Sequence, residues 1–381
     1  MSKINYLLSR FSLERLVFSI NGLIALIIYT FFCKKNNSDI WVFGTGSGFF
    51  ENNTQCFYDY CNRVHISEIS LFFVTSHDDL KLPVATLKKG SILAYLKGFQ
   101  AQTLIFDTGN SDIIPGYLRY ARGIKVNLNH GQEGLKKLPE DYYRTKFVDI
   151  HCAVSDFERD IKVLECGASR ESVFITGQPR YDLINLENKR SNNDVLFFFT
   201  WREGMQNISS EQLLETTYIE AIQQVFSSPE VLRILNDYNS TLYVKFHHML
   251  PEMQFTCENQ QIVFVDKSVD FTKLINECSI LITDYSSVCW DYIYNSRPVI
   301  FYPFDYNDYS DSPGLYIDLI NDDSMTTVTC TSELEIKLEM TMSKMSGNHK
   351  SDSIASQYFE YQDSENCKRV FDEIQKLLNN K

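Results

Sequence analysis

Residues 279–288 read SILITDYSSV, and this stretch decides the class of fold. An apolar run of strand-forming residues stops at Thr283-Asp284, and from Val288 onward the spacing is that of an amphipathic helix. Ser286 or Ser287 is a suitable N-cap for that helix. A strand that leads into the N-terminus of a helix presents unpaired N–H groups and the positive end of the helix dipole. We therefore expect an anion, and specifically a phosphate, to bind here.

Similar apolar runs recur along the chain and are separated by segments of helical length. Such runs are typical of parallel strands that are covered on both faces. They lie at residues 40–43, 69–75, 103–106, 124–128, 150–154 and 173–176, and then at 195–199, 241–246, 262–265, 279–282 and 298–302. The two series predict an α/β protein with two facing, doubly wound Rossmann-like domains and a ligand cleft between them. We expect an N-terminal segment at 1–36 and domains at 37–187 and 188–381, with a terminal amphipathic helix over 366–380.

The composition excludes several classes of function. Hydrophobic residues make up 44% of the chain and its formal charge is −13, which indicates a folded protein that does not bind nucleic acid. The ten cysteines include no Cys-x-x-Cys pair, so we expect reduced thiols and no metal site. The glycine-rich stretch at 44–48 is not a dinucleotide fingerprint, and no P-loop occurs. No cofactor is therefore expected.

The N-terminal segment is basic and apolar, unlike the rest of the chain. Lys3, Arg10, Arg15, Lys34 and Lys35 flank an apolar stretch at 16–32 that is at the short limit for a membrane-spanning helix. Three interpretations remain open at this point. The stretch is a buried first helix, a helix that lies in an anionic membrane surface, or a full span.

Polar residues that can do chemistry follow several of the predicted strands. Residues 129–137 read NHGQEGLKK, in which His130 can take a proton from a hydroxyl nucleophile and Lys136 can hold a phosphate. The alternative is a histidine that is satisfied by the backbone and a solvated lysine. Ligands, however, usually bind at the carboxyl edge of an open α/β sheet.

Two further strand ends carry candidate phosphate ligands. Residues 244–248 read VKFHH, and strand alternation places Lys245 and His247 on one face, where they suit a diphosphate. A paired lysine and a core histidine are the competing interpretation. Arg202, in residues 200–202 (TWR), can clamp a phosphate with two parallel hydrogen bonds.

Together these motifs resemble the CDP-glycerol glycerophosphotransferase family, whose members make teichoic acids and related polyol-phosphate polymers. The matching stretches, in the family's order, are HG with Lys136, GQPRYD at 177–182, TWR at 200–202, KFH at 245–247, TDYSS at 283–287, and Asp291 with RPVIFY at 297–302 and Asp305. The chain departs from the family's pattern at residues 132–134 and at His248, where the family commonly has proline.

The resemblance implies an enzyme with a two-domain, GT-B-like fold at the cytoplasmic face of the membrane, as a peripheral or monotopic protein. It implies transfer of glycerol phosphate, or a similar polyol phosphate, from CDP-glycerol or a related donor to a glycan or lipid-linked acceptor, with release of CMP. In this assignment His130 is the general base and His247 a second catalytic histidine. Donor phosphates are assigned to Lys136, Arg202, Lys245, Asp284, Ser286 and Ser287. A nucleotide-sugar glycosyltransferase and a non-catalytic nucleotide-binding protein are the alternatives.

Overall fold

The structure is a computed structural model, and it describes residues 13–33, 38–64, 69–77, 82–144, 147–184, 192–247, 249–251, 259–266, 269, 271–311, 314–346 and 354–380. His248 and the cations at positions 3, 10, 34 and 35 lie outside the described residues. Contacts divide the chain into two compact units. The first consists of Met1–Gln132, Pro139–Leu183 and Glu360–Lys381, and the second of Glu133–Leu138 and Ile184–Phe359.

The first unit is built on a seven-stranded sheet in the order β3-β2-β1-β4-β5-β6-β7. Each strand pair that the structure describes in it is parallel. Its strands are β1 (Ser38–Gly44), β2 (Ser70–Thr75), β3 (Thr86–Lys88), β4 (Ala101–Phe106), β5 (Ile124–Asn127), β6 (Ile150–Ala153) and β7 (Val173–Ile175).

The second unit contains a five-stranded sheet in the order β10-β9-β8-β11-β12, again parallel in every described pair. Its strands are β8 (Val195–Phe198), β9 (Leu242–Lys245), β10 (Ile262–Phe264), β11 (Ile280–Thr283) and β12 (Val299–Phe301). Each predicted apolar run therefore contains a strand. The short edge strand β3 was not predicted from the sequence.

Helices cover the sheets in both units. They are α1 (Leu13–Phe32), α2 (Asn52–Val64), α3 (Ile92–Gln100), α4 (Asp156–Asp160), α5 (Ser210–Leu214), α6 (Thr217–Ser227), α7 (Pro229–Asp237), α8 (Phe271–Glu277), α9 (Cys289–Tyr294), α10 (Tyr306–Asp311), α11 (Thr331–Ser346), α12 (Ala355–Tyr358) and α13 (Asn366–Asn379).

Side chains alternate across each sheet and fill a core on both faces. In β1, Trp41 and Phe43 pack into one cluster with α2 and α13, whereas Val42 packs into another with α1 and α3. The second unit has its own apolar cluster, to which β8, α6 and α7 contribute. The predicted architecture of two doubly wound α/β domains is therefore confirmed.

The predicted domain boundaries differ from the observed units in two segments. The terminal helix was predicted correctly as α13, but its apolar stripe, Cys367, Val370, Phe371 and Ile374, lies in the core of the first unit and not in the second. Residues 133–138, which the sequence assigned to the first domain, pack in the second unit. In both cases long-range pairing decides the location, which local patterns do not encode.

Candidate active site

His130 lies at the carboxyl edge of the first sheet, beyond the end of β5. Asn129, the residue before it, is buried and has a left-handed backbone (φ 64°). Its side-chain amide donates to the carbonyl of Cys152 at 2.7 Å, and its N–H donates to the side chain of Asn127 at 3.1 Å. These bonds stabilise a conformation that asparagine tolerates better than most residues. The turn ends the strand and presents the His130 side chain, which is 68% exposed.

Neighbouring segments hold the backbone around His130. The carbonyl of Asn129 accepts a hydrogen bond from the Asn53 amide at 2.8 Å, and the carbonyl of His130 accepts one from Arg180 Nη1 at 3.2 Å. The ring nitrogen Nδ1 of His130 lies 3.9 Å from Oδ2 of the buried Asp107, which directly follows β4. The arrangement places an exposed imidazole beside a buried carboxylate.

The GQPRYD stretch at 177–182 has a structural role in the first unit. Gly177 has a φ of +73°, and a Cβ there would lie 1.7 Å from the side-chain oxygen of Asn366. Asp182 accepts hydrogen bonds from the backbone N–H groups of Asn366 and Cys367, both at 2.8 Å, and so caps α13. The motif therefore anchors the terminal helix, while its Arg180 reaches the His130 loop.

In the second unit, Arg202 joins two carboxylates. Its Nε and Nη2 donate to both oxygens of Asp305 at 2.7 and 2.9 Å, and Nη1 lies 2.8 Å from Oδ2 of Asp284. Nη1 also donates to the carbonyl of Thr200 at 2.5 Å. Each of the three guanidinium nitrogens of Arg202 therefore donates to an oxygen atom of the protein. Arg202 consequently fixes the ends of β8 and β11 rather than presenting a vacant fork to a phosphate.

Four aromatic rings surround this guanidinium, each with its centroid 5.0–5.5 Å from the Arg202 carbon: Tyr218, Tyr285, Phe304 and Tyr309. Burial alone would lower the pKa of Arg202, but the charges and hydrogen bonds of Asp284 and Asp305 raise it. Burial raises the pKa of Asp284, and the ion pair with Arg202 opposes that rise. The cluster is a desolvated ion-pair network of the kind that is costly to break.

Lys136 belongs to the same neighbourhood, because residues 133–138 pack in the second unit. Lys136 forms an antiparallel bridge with Leu315, and the N–H of Lys137 donates to the carbonyl of Gly314 at 3.0 Å. Burial lowers the pKa of Lys136, and the charge of Asp284 raises it. Within the described part of the chain, the Lys136 ammonium makes no hydrogen bond and no ion pair within 4.0 Å.

The structure of the TDYSS stretch at 283–287 differs from the predicted helix start with a serine N-cap. Helix α9 begins at Cys289, and its N-cap residue is Val288, which makes no side-chain cap. The predicted serine N-cap is therefore wrong; instead, the Ser286 hydroxyl accepts from the N–H of Val288 at 3.3 Å within the preceding turn. The partly buried Ser287 hydroxyl makes no hydrogen bond to any residue that the structure describes.

Lys245 is the last residue of β9, and His247 lies just after the end of this strand. The Lys245 ammonium donates to the carbonyls of Asp266 and Val269 at 2.9 and 3.3 Å, so it secures the loop after β10. Nδ1 of His247 accepts the N–H of Met249 at 3.2 Å, and the neutral ring consequently carries its proton on Nε2. The His247 ring is a hydrogen-bond donor in this tautomer.

The strand order explains which predicted residues come together. Because β9, β8, β11 and β12 are neighbours, Lys245, Arg202, Asp284 and Asp305 emerge at one edge of the second sheet. His130 belongs to the first unit and lies at the carboxyl edge of the sheet of that unit. Two residues had no site role in the sequence assignment, Asp305 and Asp107. Asp107 directly follows β4, and Asp305 lies shortly after β12. A position just after a strand is the signal in the sequence from which a site role could have been predicted for them.

Comparisons with known proteins agree with this architecture. The sequence model of the family described as CDP-Glycerol:Poly(glycerophosphate) glycerophosphotransferase matches residues 26–376. The minor teichoic acid biosynthesis protein GgaB of Bacillus subtilis (strain 168) is 25% identical over 232 residues, which are 56% of this chain and 24% of GgaB. This chain thus spans about a quarter of the length of that curated relative.

Solved structures of other proteins share the fold. The wall teichoic acid polymerase TagF, in crystals soaked with CDPG, aligns with a TM-score of 0.75 at 18% identity, over 100% of this chain and 99% of that chain. The UDP-GlcNAc 2-epimerase of Methanocaldococcus jannaschii, in complex with UDP-GlcNAc and UDP, aligns with a TM-score of 0.52 at 11% identity, over 88% and 99%. On the evidence of the family match over most of its length, this chain belongs to the CDP-glycerol:poly(glycerophosphate) glycerophosphotransferase family.

Proposed function

We propose that this chain transfers glycerol phosphate, or a similar polyol phosphate, from a CDP-linked donor to a hydroxyl of a cell-envelope glycan or lipid-linked acceptor. Family membership supports the reaction class. The acceptor oxygen attacks the donor phosphorus nearer the polyol and forms the new P–O bond. The bond from that phosphorus to the bridging oxygen breaks, CMP leaves, and the proton of the acceptor hydroxyl passes to His130 Nε2.

The observation that carries the proposal is the uncommitted Lys136 ammonium beside Asp284. A half-buried cation without a hydrogen-bonding partner among the described residues is suited to a ligand anion. The Ser287 hydroxyl, from the same unit, is a second donor without a described partner. We therefore assign the donor diphosphate to Lys136 and Ser287.

The other predicted phosphate ligands take supporting roles in this proposal. Arg202 and Asp284 fix the strand ends that carry the site, and Lys245 fixes the loop after β10. Ser286 stabilises the turn that presents Ser287. His247, with its proton on Nε2, donates a hydrogen bond to a phosphate oxygen and stabilises the charge that develops as CMP leaves.

Release of CMP by the purified protein tests the proposed reaction. CDP-glycerol and CDP-ribitol are offered separately with a membrane extract as acceptor. We expect CMP from one of these donors, and a loss of about 10²–10⁴-fold in His130→Ala, because a general base contributes a factor of this size. His77→Ala is the matched control, since His77 also lies at the edge of the first sheet, where its ring stacks on Phe49.

Three results would contradict the proposal. A His130→Ala protein within a few-fold of wild type would remove the general base from its assigned position. An equal loss in His77→Ala would indicate general damage to the first unit. Release of UDP or GDP from nucleotide sugars, without CMP from either CDP-polyol, would identify a glycosyltransferase instead.

We also propose that the chain lies on the cytoplasmic face of an anionic membrane as a peripheral or monotopic protein, and the contacts of α1 support a peripheral rather than a spanning placement. This helix is long and apolar enough to cross a membrane by length and composition. It nevertheless packs on the first unit. The Tyr117 hydroxyl donates to the carbonyl of Ser19 at 2.7 Å, and the Asn21 amide donates to the carbonyl of Gly90 at 3.0 Å. Because α1 is docked on the first unit, we expect it to lie in the membrane surface and not to span the membrane.

The opposite side of α1 is apolar and uncovered. Its exposed large side chains are Leu13, Leu16, Val17, Ile20, Leu23, Ile24, Ile27, Phe31 and Phe32. Such a contiguous patch marks a membrane or protein interaction site. Flotation with phosphatidylglycerol vesicles tests the assignment. We expect Ile20→Glu with Ile27→Glu to abolish flotation, whereas Ile336→Glu, at an exposed position on α11, leaves it intact. Equal flotation of all variants would exclude α1 as the anchor.

A further inference from the structure

Asp107 is placed beside His130 by the topology of the first sheet. Strands β4 and β5 are parallel neighbours, and Phe106 is paired in register with Asn127. Their carboxyl ends therefore emerge side by side, with Asp107 directly after one strand and His130 shortly after the other. The measured distance between Asp107 Oδ2 and His130 Nδ1 is 3.9 Å.

Among the described residues, hydrogen bonds fix the carboxylate of Asp107 on one of its two oxygens. Oδ1 accepts the N–H of Gly46 at 3.1 Å and the Thr108 hydroxyl at 2.9 Å. Oδ2 is the oxygen that faces His130, and the Asp107 side chain is only 2% exposed. Among the described residues, His130 is the one basic group within 4.0 Å of this carboxylate. Since buried charges in proteins are normally paired, the imidazole is its natural partner.

A second buried carboxylate holds the loop in which Asp107 lies. Asp112 Oδ2 accepts the N–H groups of Thr108 and Gly109 at 2.9 and 3.0 Å. Burial raises the pKa of Asp112, and the charge of Asp107 adds to this rise. Asp112 thus shapes the loop, while Asp107 is the carboxylate directed at the histidine.

We propose that Asp107 is a positioning residue for His130, on the basis of this juxtaposition. Its carboxylate accepts a hydrogen bond from Nδ1–H and so leaves the lone pair of Nε2 directed at the acceptor hydroxyl. The 3.9 Å separation is about 1 Å longer than a hydrogen bond, and we expect a rotation of the exposed His130 ring to close it. The backbone need not move, because Asn129 and Arg180 hold it.

The effect that we expect Asp107 to have on turnover rests on the proposed function. When His130 Nε2 takes the acceptor proton, the ring becomes an imidazolium with protons on both nitrogens. The Asp107 carboxylate stabilises that cation without taking the proton itself. Asp107 therefore acts on the proton-transfer step, and binding of the CDP-linked donor does not depend on it.

The first test measures the tautomer of His130 and needs no turnover. The protein is labelled with ¹⁵N-histidine, and His130→Ala identifies the ring signals of His130. We expect the neutral ring of the wild type to carry its proton on Nδ1, and Asp107→Asn to shift the ring toward Nε2–H. A wild-type ring that is protonated on Nε2 overturns the proposal, even where the variant fails to fold.

The second test is a double-mutant cycle on CMP release from CDP-glycerol. We expect Asp107→Asn to lower kcat about 10²-fold, the loss typical of a misplaced reacting group, with the donor KM unchanged. In the His130→Ala background the same substitution should have no further effect. An equal loss in both backgrounds would indicate a structural role and overturn the proposal. Absence of CMP release by the wild type would contradict the proposed function, while the tautomer measurement would still decide the role of Asp107.

Discussion

Replacing Arg202 by lysine separates the structural role of this residue from the phosphate-binding role that its sequence suggested. The guanidinium makes two hydrogen bonds to Asp305 and an ion pair with Asp284, and its side chain is 14% exposed. A lysine ammonium is a single point charge and cannot bridge both carboxylates. At least one of the two carboxylates, the buried Asp284 or the partly exposed Asp305, would then lose its ionic partner.

The expected cost follows from these contacts. A hydrogen bond to a charged group contributes about 1.5–3 kcal/mol, and removing one member of a buried ion pair costs about 3–5 kcal/mol. Because lysine retains part of the interaction, we expect Arg202→Lys to lower the free energy of unfolding by about 3 kcal/mol. With a urea m-value of about 1–3 kcal/mol per M, the midpoint should fall by roughly 1–3 M.

The assay needs a signal from the second unit alone. Trp201 and Trp290 belong to that unit and Trp41 to the first, so urea unfolding is followed by fluorescence in a Trp41→Phe background. Arg233→Lys is the matched control, because Arg233 likewise bridges several carboxylates, three in its case, but does so on the exposed surface, where ion pairs stabilise little. An unchanged midpoint for Arg202→Lys, with a large rise in donor KM, would refute the structural role and restore the phosphate clamp.

Three further predictions concern other residues. Lys136→Met should raise the donor KM about 10–10²-fold through the loss of a charged hydrogen bond, whereas the exposed Lys137→Met should not. Since burial lowers the pKa of Lys136, the wild-type KM should rise with pH as that ammonium deprotonates, and a KM independent of pH would contradict its role. Gly177→Ala should cost about 2–4 kcal/mol of stability in thermal unfolding through its positive φ and its clash, while Gly109→Ala, with open space around it, serves as control; equal effects would refute the packing argument. Asp182→Ala should cost about 1–3 kcal/mol by removing the cap of α13, and an unchanged melting temperature would contradict that assignment.

The sequence predicted much of the fold because its signals are local. Apolar runs identified the strands, and the residues after them, among them His130 and Asp284, identified the carboxyl edges of the two sheets. Other features escaped local reasoning. The short strand β3 has no extended apolar run, and the helix after TDYSS begins too late for a serine cap.

By itself the sequence determined the alternation of strands and helices, the two-domain class and the family, because side-chain periodicity and ordered motifs are properties of the chain. Only the tertiary structure decided the partners of each charge. It joined Arg202 to Asp284 and Asp305, brought Lys136 into the second unit and placed Asp107 beside His130. The physical reason is that strand order and the crossing segments set which carboxyl ends are neighbours, and burial then sets which of those charges must be paired.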